Sequence, residues 1–145
     1  MPNPANHIPA LVLRSPLHRI LSARYLLLEF TGRKTSRTFR APVAYVLDHA
    51  HRIVLTTDSP WWRNFTAPAP VRLWLRGRVV AGTATAMADP NQTAAALRRL
   101  VDAIPSYARP AGLARDTHRH VSDAEIARAV AAGRVGIDID VPESR

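Results

Sequence analysis

The sequence predicts a small antiparallel β-barrel with flanking helices, mainly β with α (α+β). Three observations carry this. Six short runs have strand-type patterning, and most are joined by tight turns. The helical stretches are too short or too late to serve as crossovers between parallel strands. No glycine fingerprint of a doubly wound nucleotide-binding fold is present. At 145 residues the chain has the length of a single domain, 1–145, able to fold on its own core.

The elements follow in order. Residues 8–22 are weakly helical and amphipathic, with Pro16 bending or interrupting them. The barrel itself is expected over about 24–141. "RYLLLEFT" (24–31) is a short apolar strand followed by Gly32. "TFRAPVAYVLD" (38–48) alternates in part and carries β-branched and aromatic residues, so it reads as one strand. After a turn at "DHAHR", "RIVLTT" (52–57) is the third strand. Ser59 and Pro60 suit an N-cap and a first helical turn, predicting a short helix over 59–66 that "APAP" must end.

"VRLWLRG" (71–77) alternates with Val71, Leu73 and Leu75 on one face and Arg72, Trp74 and Arg76 on the other. Gly77-Arg78 turns it into the small-residue strand "VVAGTATAMA". Asp89-Pro90 repeats the cap-plus-proline signature and opens a helix over about 90–104, with leucines and alanines on one stripe. A loop, "PSYARPAGLARDTHRH", comes next. Ser122 and Glu125 form a capping box for a helix over 122–132, ended by Gly133. "RVGIDIDV" closes the barrel as the sixth strand, with Asp138 and Asp140 facing outward.

Composition excludes several function classes. Without cysteine there is no thiol catalysis, thiolate metal site or disulfide scaffold. No apolar run approaches the ~20 residues of a membrane span, and the N-terminus lacks a secretory layout, so a cytoplasmic protein is expected. The net charge of +9 invites a nucleic-acid reading. However, the arginines scatter along an Ala- and Pro-rich chain instead of forming a tract, and no nucleic-acid partner is expected. Leu11, Leu13, Leu17 and Ile20 with their arginine neighbours leave peripheral membrane contact open. The surplus apolar strand after Arg78 leaves a homodimer open. His49/His51 and His118/His120 have pairwise spacing but no convincing third ligand, so no metal is expected. No serine-nucleophile elbow is present.

The stretch "FTGRKTSRTFRAP" carries the strongest functional signal. It gathers Arg33, Lys34, Arg37 and Arg40 within 32–40 with no acid among them, and Lys34 is the only lysine of the chain. Such charges repel one another unless an anion visits. Gly32 and the hydroxyls of Thr31, Thr35 and Ser36 suit close approach of phosphate or carboxylate oxygens. Arginine offers a planar fork and lysine a point charge, the two usual ways to hold phosphate. This is a candidate anion site. In "SPWWRNF", adjacent tryptophans point in different directions, so one can enter the core while the other faces a cleft. Arg63 and Asn64 beside them supply donors for a polar heterocycle. Tyr107 in "PSYARP" is either a proton donor or a loop aromatic.

Taken together, "LLLEFTGRKTSR", "APVAYVLD", "WWRNFTAPAPVRLWLRG" and, more loosely, "IPSYARP" resemble the deazaflavin (F420)-dependent nitroreductase family. That resemblance covers most of residues 8–110. It implies a six-stranded split β-barrel, FMN-binding and pyridoxamine-phosphate-oxidase-like, and a reductase that passes hydride from reduced coenzyme F420 to a quinone, nitroaromatic or other small electron-poor acceptor. Carried over, it places Arg33, Lys34, Thr35, Arg37 and Arg40 on the anionic phosphate and glutamate tail of the cofactor. Trp61 and Asn64 would lie beside the ring system, and Tyr107 on the substrate side. The cofactor supplies the hydride chemistry, so no acid–base triad is required. The chain departs from the pattern in three places. Ser36 stands where the turn usually has glycine. Arg40 comes one position later than the expected arginine, where this chain has Phe39. "TTDSP", with Asp58, replaces a longer glycine-containing loop. Two alternatives keep the barrel: an FMN-binding oxidoreductase, or a protein without redox chemistry that binds an apolar anion such as a fatty acid.

Overall fold

The computed structural model describes residues 24–142, apart from 49, 51 and 76. The expected helical segment at 8–22, its membrane contact, and His49 and His51 lie outside the described residues.

Seven strands form one sheet: β1 (Tyr25–Thr31), β2 (Thr38–Ala44), β3 (Val46–Leu47), β4 (Ile53–Thr57), β5 (Ala69–Leu75), β6 (Arg78–Ala86) and β7 (Val135–Asp140). Their order is β2-β1-β5-β6-β7-β4-β3, and every pair is antiparallel. The two edges, β2 and β3, are separated in sequence by Tyr45 alone. One residue spans less than about 4 Å, so the sheet has to curl until its edges meet. The mostly β barrel expected from the sequence is thus present, with one correction. The stretch 38–48 is not one strand but two, because the chain leaves one sheet edge and joins the other at Tyr45. Its buried ring (5% exposed) enters the interior, and its amide donates to the Arg24 carbonyl at 3.0 Å.

Alternation places Leu26, Leu28 and Phe30 of β1 inside the barrel. They pack with Leu55, Val71, Leu73, Ile137 and Ile139, and Phe65 fills the same interior with no exposure. Strand β4 is buried along its whole length, which explains why "IVLTT" lacks polar alternation. Its outer side meets the helical layer.

That layer contains α1 (Pro90–Ala103) and α2 (Asp123–Ala131). The caps read from the sequence for these two helices are formed: Asp89 accepts from the Asn91 amide at 2.8 Å, and Ser122 from the Glu125 amide at 3.2 Å. The Glu125 carboxylate, however, accepts from the Ala114 amide at 2.8 Å and from Arg128. These bonds, with Arg128 the leading cause, lower its pKa to about 2. The segment expected as plain loop contains a 3-10 turn, Pro105–Ala108. Leu97, Leu100, Ile104, Leu113 and Ile126 make a second core between the helices and the sheet.

Replacing Phe65 by Ala should remove a fully enclosed ring from the barrel interior and cost about 3–5 kcal/mol. A urea midpoint close to wild type would contradict this placement.

Candidate functional site

The β1–β2 connection is the basic stretch, and its backbone explains why it takes this shape. The Gly32 amide donates to the Arg37 carbonyl at 2.7 Å, and the Ser36 amide to the Gly32 carbonyl at 2.9 Å. A Cβ at Gly32 would lie 2.8 Å from Phe39 Cε2 and 2.9 Å from Thr35 Oγ1, so a larger residue there would have to displace these two side chains. Ser36 adopts φ 56°, the left-handed region that glycine would enter freely. The Thr35 hydroxyl oxygen accepts from the Arg37 amide at 3.3 Å.

Across from this turn stands a 3-10 helix, Pro60–Phe65. Ser59 precedes it in extended conformation without a side-chain capping bond. Asn64 joins the two elements. Its Oδ1 accepts from the Arg33 amide at 2.9 Å, while its Nδ2 donates to the Trp61 carbonyl at 2.8 Å. The Trp61 ring packs at 5.4 Å from Phe30 and edge-on at 6.1 Å from Phe65, fixing the helix to the barrel. Trp62 also packs against the barrel core, and the Arg63 guanidinium lies 5.7 Å from its ring centroid.

Turn and helix enclose an open cleft of about 210 Å³. Arg33, Lys34 and Thr35 above Gly32 form one wall; Pro60, Arg63 and Asn64 form the other, and Phe39 also lines it. None of these is an acid. The side chains of Arg33, Lys34 and Arg37 make no ion pair among the described residues. The arrangement can receive an anion through three cations, Arg33, Lys34 and Arg63, and the Thr35 hydroxyl.

The structure therefore brings together Arg33, Lys34, Thr35 and Asn64. Arg37 is exposed on the same turn without lining the cleft. Arg40 is turned elsewhere. It sits opposite Glu29 in the β1–β2 register, and its Nε donates to Glu29 Oε2 at 2.8 Å. Arg72 approaches the same carboxylate at 3.6 Å, and both guanidinium groups flank the Trp74 ring, at 5.3 and 5.4 Å. Glu29, just before the basic stretch in sequence, thus offsets one of the four clustered charges. Trp61 anchors the helix without lining the cleft.

Tyr107 lies in the other core. Its hydroxyl is 2.7 Å from Thr56 Oγ1 and donates to the Thr56 carbonyl at 3.1 Å. Arg134 Nη1 donates to Thr56 Oγ1 at 3.1 Å and to the Tyr107 hydroxyl at 3.2 Å. Arg134 is buried, and its Nη2 lies 3.7 Å from the exposed Asp58 carboxylate. Asp58 is thus partly neutralised where the short "TTDSP" connection enters the 3-10 helix. Burial raises the Tyr107 pKa, against the opposing effects of Thr56 and Arg134.

Sequence reasoning missed Phe39 and Pro60 as lining residues, and read Arg63 only as a donor beside the tryptophans, not as part of the anion site. Strand alternation carried a signal for Phe39, since it must face away from Arg40. Nothing local announced Arg134 as a buried cation. Among the described residues there is no group of His, Asp and Glu able to hold a metal ion.

Comparison with known proteins adds the following. The family model "F420H(2)-dependent quinone reductase" matches residues 16–122, a span that includes both cleft walls and Tyr107. A solved structure, the FAD and heme binding protein from Mycobacterium smegmatis, aligns with a TM-score of 0.46 at 14% identity, covering 91% of this chain and 69% of that one. No curated protein matches the chain.

Two outcomes are expected from this geometry. Ser36→Val should cost about 1–2 kcal/mol because a β-branched residue is strained at positive φ, whereas Ser36→Gly should leave stability unchanged or higher; equal urea midpoints for Val and Gly would refute the strain. For Tyr107, a raised pKa means the folded state holds the proton more tightly. Its contribution is complete below the ordinary tyrosine pKa of about 10 and is lost as pH rises through the folded value. Absorbance titration at about 295 nm should show a late tyrosinate step that Tyr107→Phe removes.

Proposed function

The chain belongs to the F420H(2)-dependent quinone reductase family, and from that premise we propose that it reduces a small electron-poor acceptor such as a quinone or nitroaromatic, with the cofactor anchored by its phosphate in the cleft of the β1–β2 turn. The observation that carries this reading is the acid-free cleft itself, with Arg33, Lys34, Thr35 and Asn64 on facing walls.

The residues present fit a phosphate-bearing cofactor. Arg33 and Lys34 supply positive charge that no carboxylate in the cleft competes for. The Arg33 amide-to-Asn64 bond holds turn and helix at a fixed separation, so the charges are in place before binding. When bound, the reduced deazaflavin would supply a hydride (two electrons with one proton) to the acceptor, and solvent would supply the second proton. The chain's own part is to bind, orient and keep the approach fixed. Phe39 and Pro60 offer apolar surface beside the charges. Trp61 acts through its packing on Phe30 and Phe65, which sets the helix against the barrel. Arg37 adds long-range attraction from the rim; Arg40 is committed chiefly to Glu29. Tyr107 stands apart with its hydroxyl engaged by Thr56 and Arg134. Its ring is buried in the second core and does not line the cleft.

The test is a fluorescence titration of oxidised F420, run beside one with FMN. Wild-type protein should bind F420 with micromolar or tighter affinity and FMN more weakly. Lys34→Glu should weaken F420 binding by at least about a hundredfold, since an attraction becomes a repulsion. Undiminished affinity in that variant would remove the assigned site.

A further inference from the structure

Resting on the cofactor reading above, we propose that Arg63 is a third binding cation of the cleft, set opposite Arg33 and Lys34 so that a phosphoryl group is gripped from both walls. Arg63 belongs to the Pro60–Phe65 helix and lines the cleft. It is exposed and has no carboxylate partner among the described residues. Its guanidinium is not left to wander, because it lies 5.7 Å from the Trp62 centroid, within cation–π range. Trp62 in turn packs against the barrel core. The ring therefore restricts the long side chain before any ligand arrives and lowers the ordering cost of binding.

The neighbouring residue makes the placement firm. Asn64, next in the chain, accepts the Arg33 amide at 2.9 Å. The hydrogen bond that ties the walls together thus runs from the backbone of one arginine to the chain neighbour of the other. Three cations around about 210 Å³ with no acid among the lining residues form a field that an oxyanion relieves. A tetrahedral phosphoryl group projects oxygens in opposing directions and can meet both walls. A planar carboxylate projects both oxygens to one side and satisfies one wall. The clamp accordingly selects the phosphate of the cofactor over a free carboxylate. Its planar fork also makes Arg63 more than a point charge.

The test titrates oxidised F420 into wild type, Arg63→Ala, Arg63→Lys, Lys34→Glu and the distant control Arg109→Ala, at low and high ionic strength, with each variant's urea midpoint recorded. Arg63→Ala should weaken binding about tenfold and flatten the salt dependence, at an unchanged midpoint. Arg63→Lys should fall between Ala and wild type, and Arg109→Ala should bind as wild type. If Lys34→Glu loses binding while Arg63→Ala keeps wild-type affinity and salt dependence, the clamp is overturned and the cofactor reading stands. If Lys34→Glu also binds as wild type, the cofactor reading itself is overturned, and the clamp with it.

Discussion

The fold rests on a constraint of reach. Strands β2 and β3 are the two edges of the sheet, and Tyr45 alone joins them. A sheet so connected cannot lie open; it must roll until the edges are within a residue's length. Rolling creates an inside, and the inside decides which residues of each strand are apolar. It also sets the aromatic cluster of Phe30, Phe39, Trp61 and Phe65 at one place, where the β1–β2 turn and the 3-10 helix face one another. The cleft is a by-product of that packing: the aromatic residues hold its walls and the polar ones line it.

Much of this could be read from residues alone. Alternation or short apolar runs bounded by turns located the strand segments, and the Asp89-Pro90 and Ser122 caps located the two α-helices, because these signals are local. The break at Tyr45 was hidden, since each side of it looks like strand and only the partner strands differ. The basic turn was legible as an anion site through its charge and glycine. Membership of that site was less so. Arg40 counts as a neighbour in sequence, but β-register sends it to Glu29 and Trp74 on the outer face. Arg63 and Pro60 come from an element whose docking against the turn no local pattern encodes. Arg134 reads as an ordinary polar residue before a strand, yet it is buried against Thr56 and Tyr107.

Electrostatics in the molecule is sorted by these placements. The outer rung of Arg40, Glu29 and Arg72 settles two guanidinium groups on one carboxylate. Arg52 is settled on Asp138 at 2.7 Å, and that bond chiefly raises its pKa. The β1–β2 cleft, by contrast, gathers three cations that have no ion pair among the described residues. The chain's surplus of arginine is therefore uneven in effect: some guanidinium groups are settled on carboxylates, while those lining the cleft are not.

Strand β7 has a consequence for how the chain acquires its shape. It is the last of the seven described strands, yet it lies between β6 and β4, pairing Thr57 with Val135 far apart in sequence. During vectorial synthesis, the earlier strands emerge as two separate groups, each with a bare hydrogen-bonding flank waiting for the same missing piece. The keystone is delivered late. A nascent chain halted before Val135 is thus an open-sided intermediate, the form in which this protein is most exposed to pairing with a stranger.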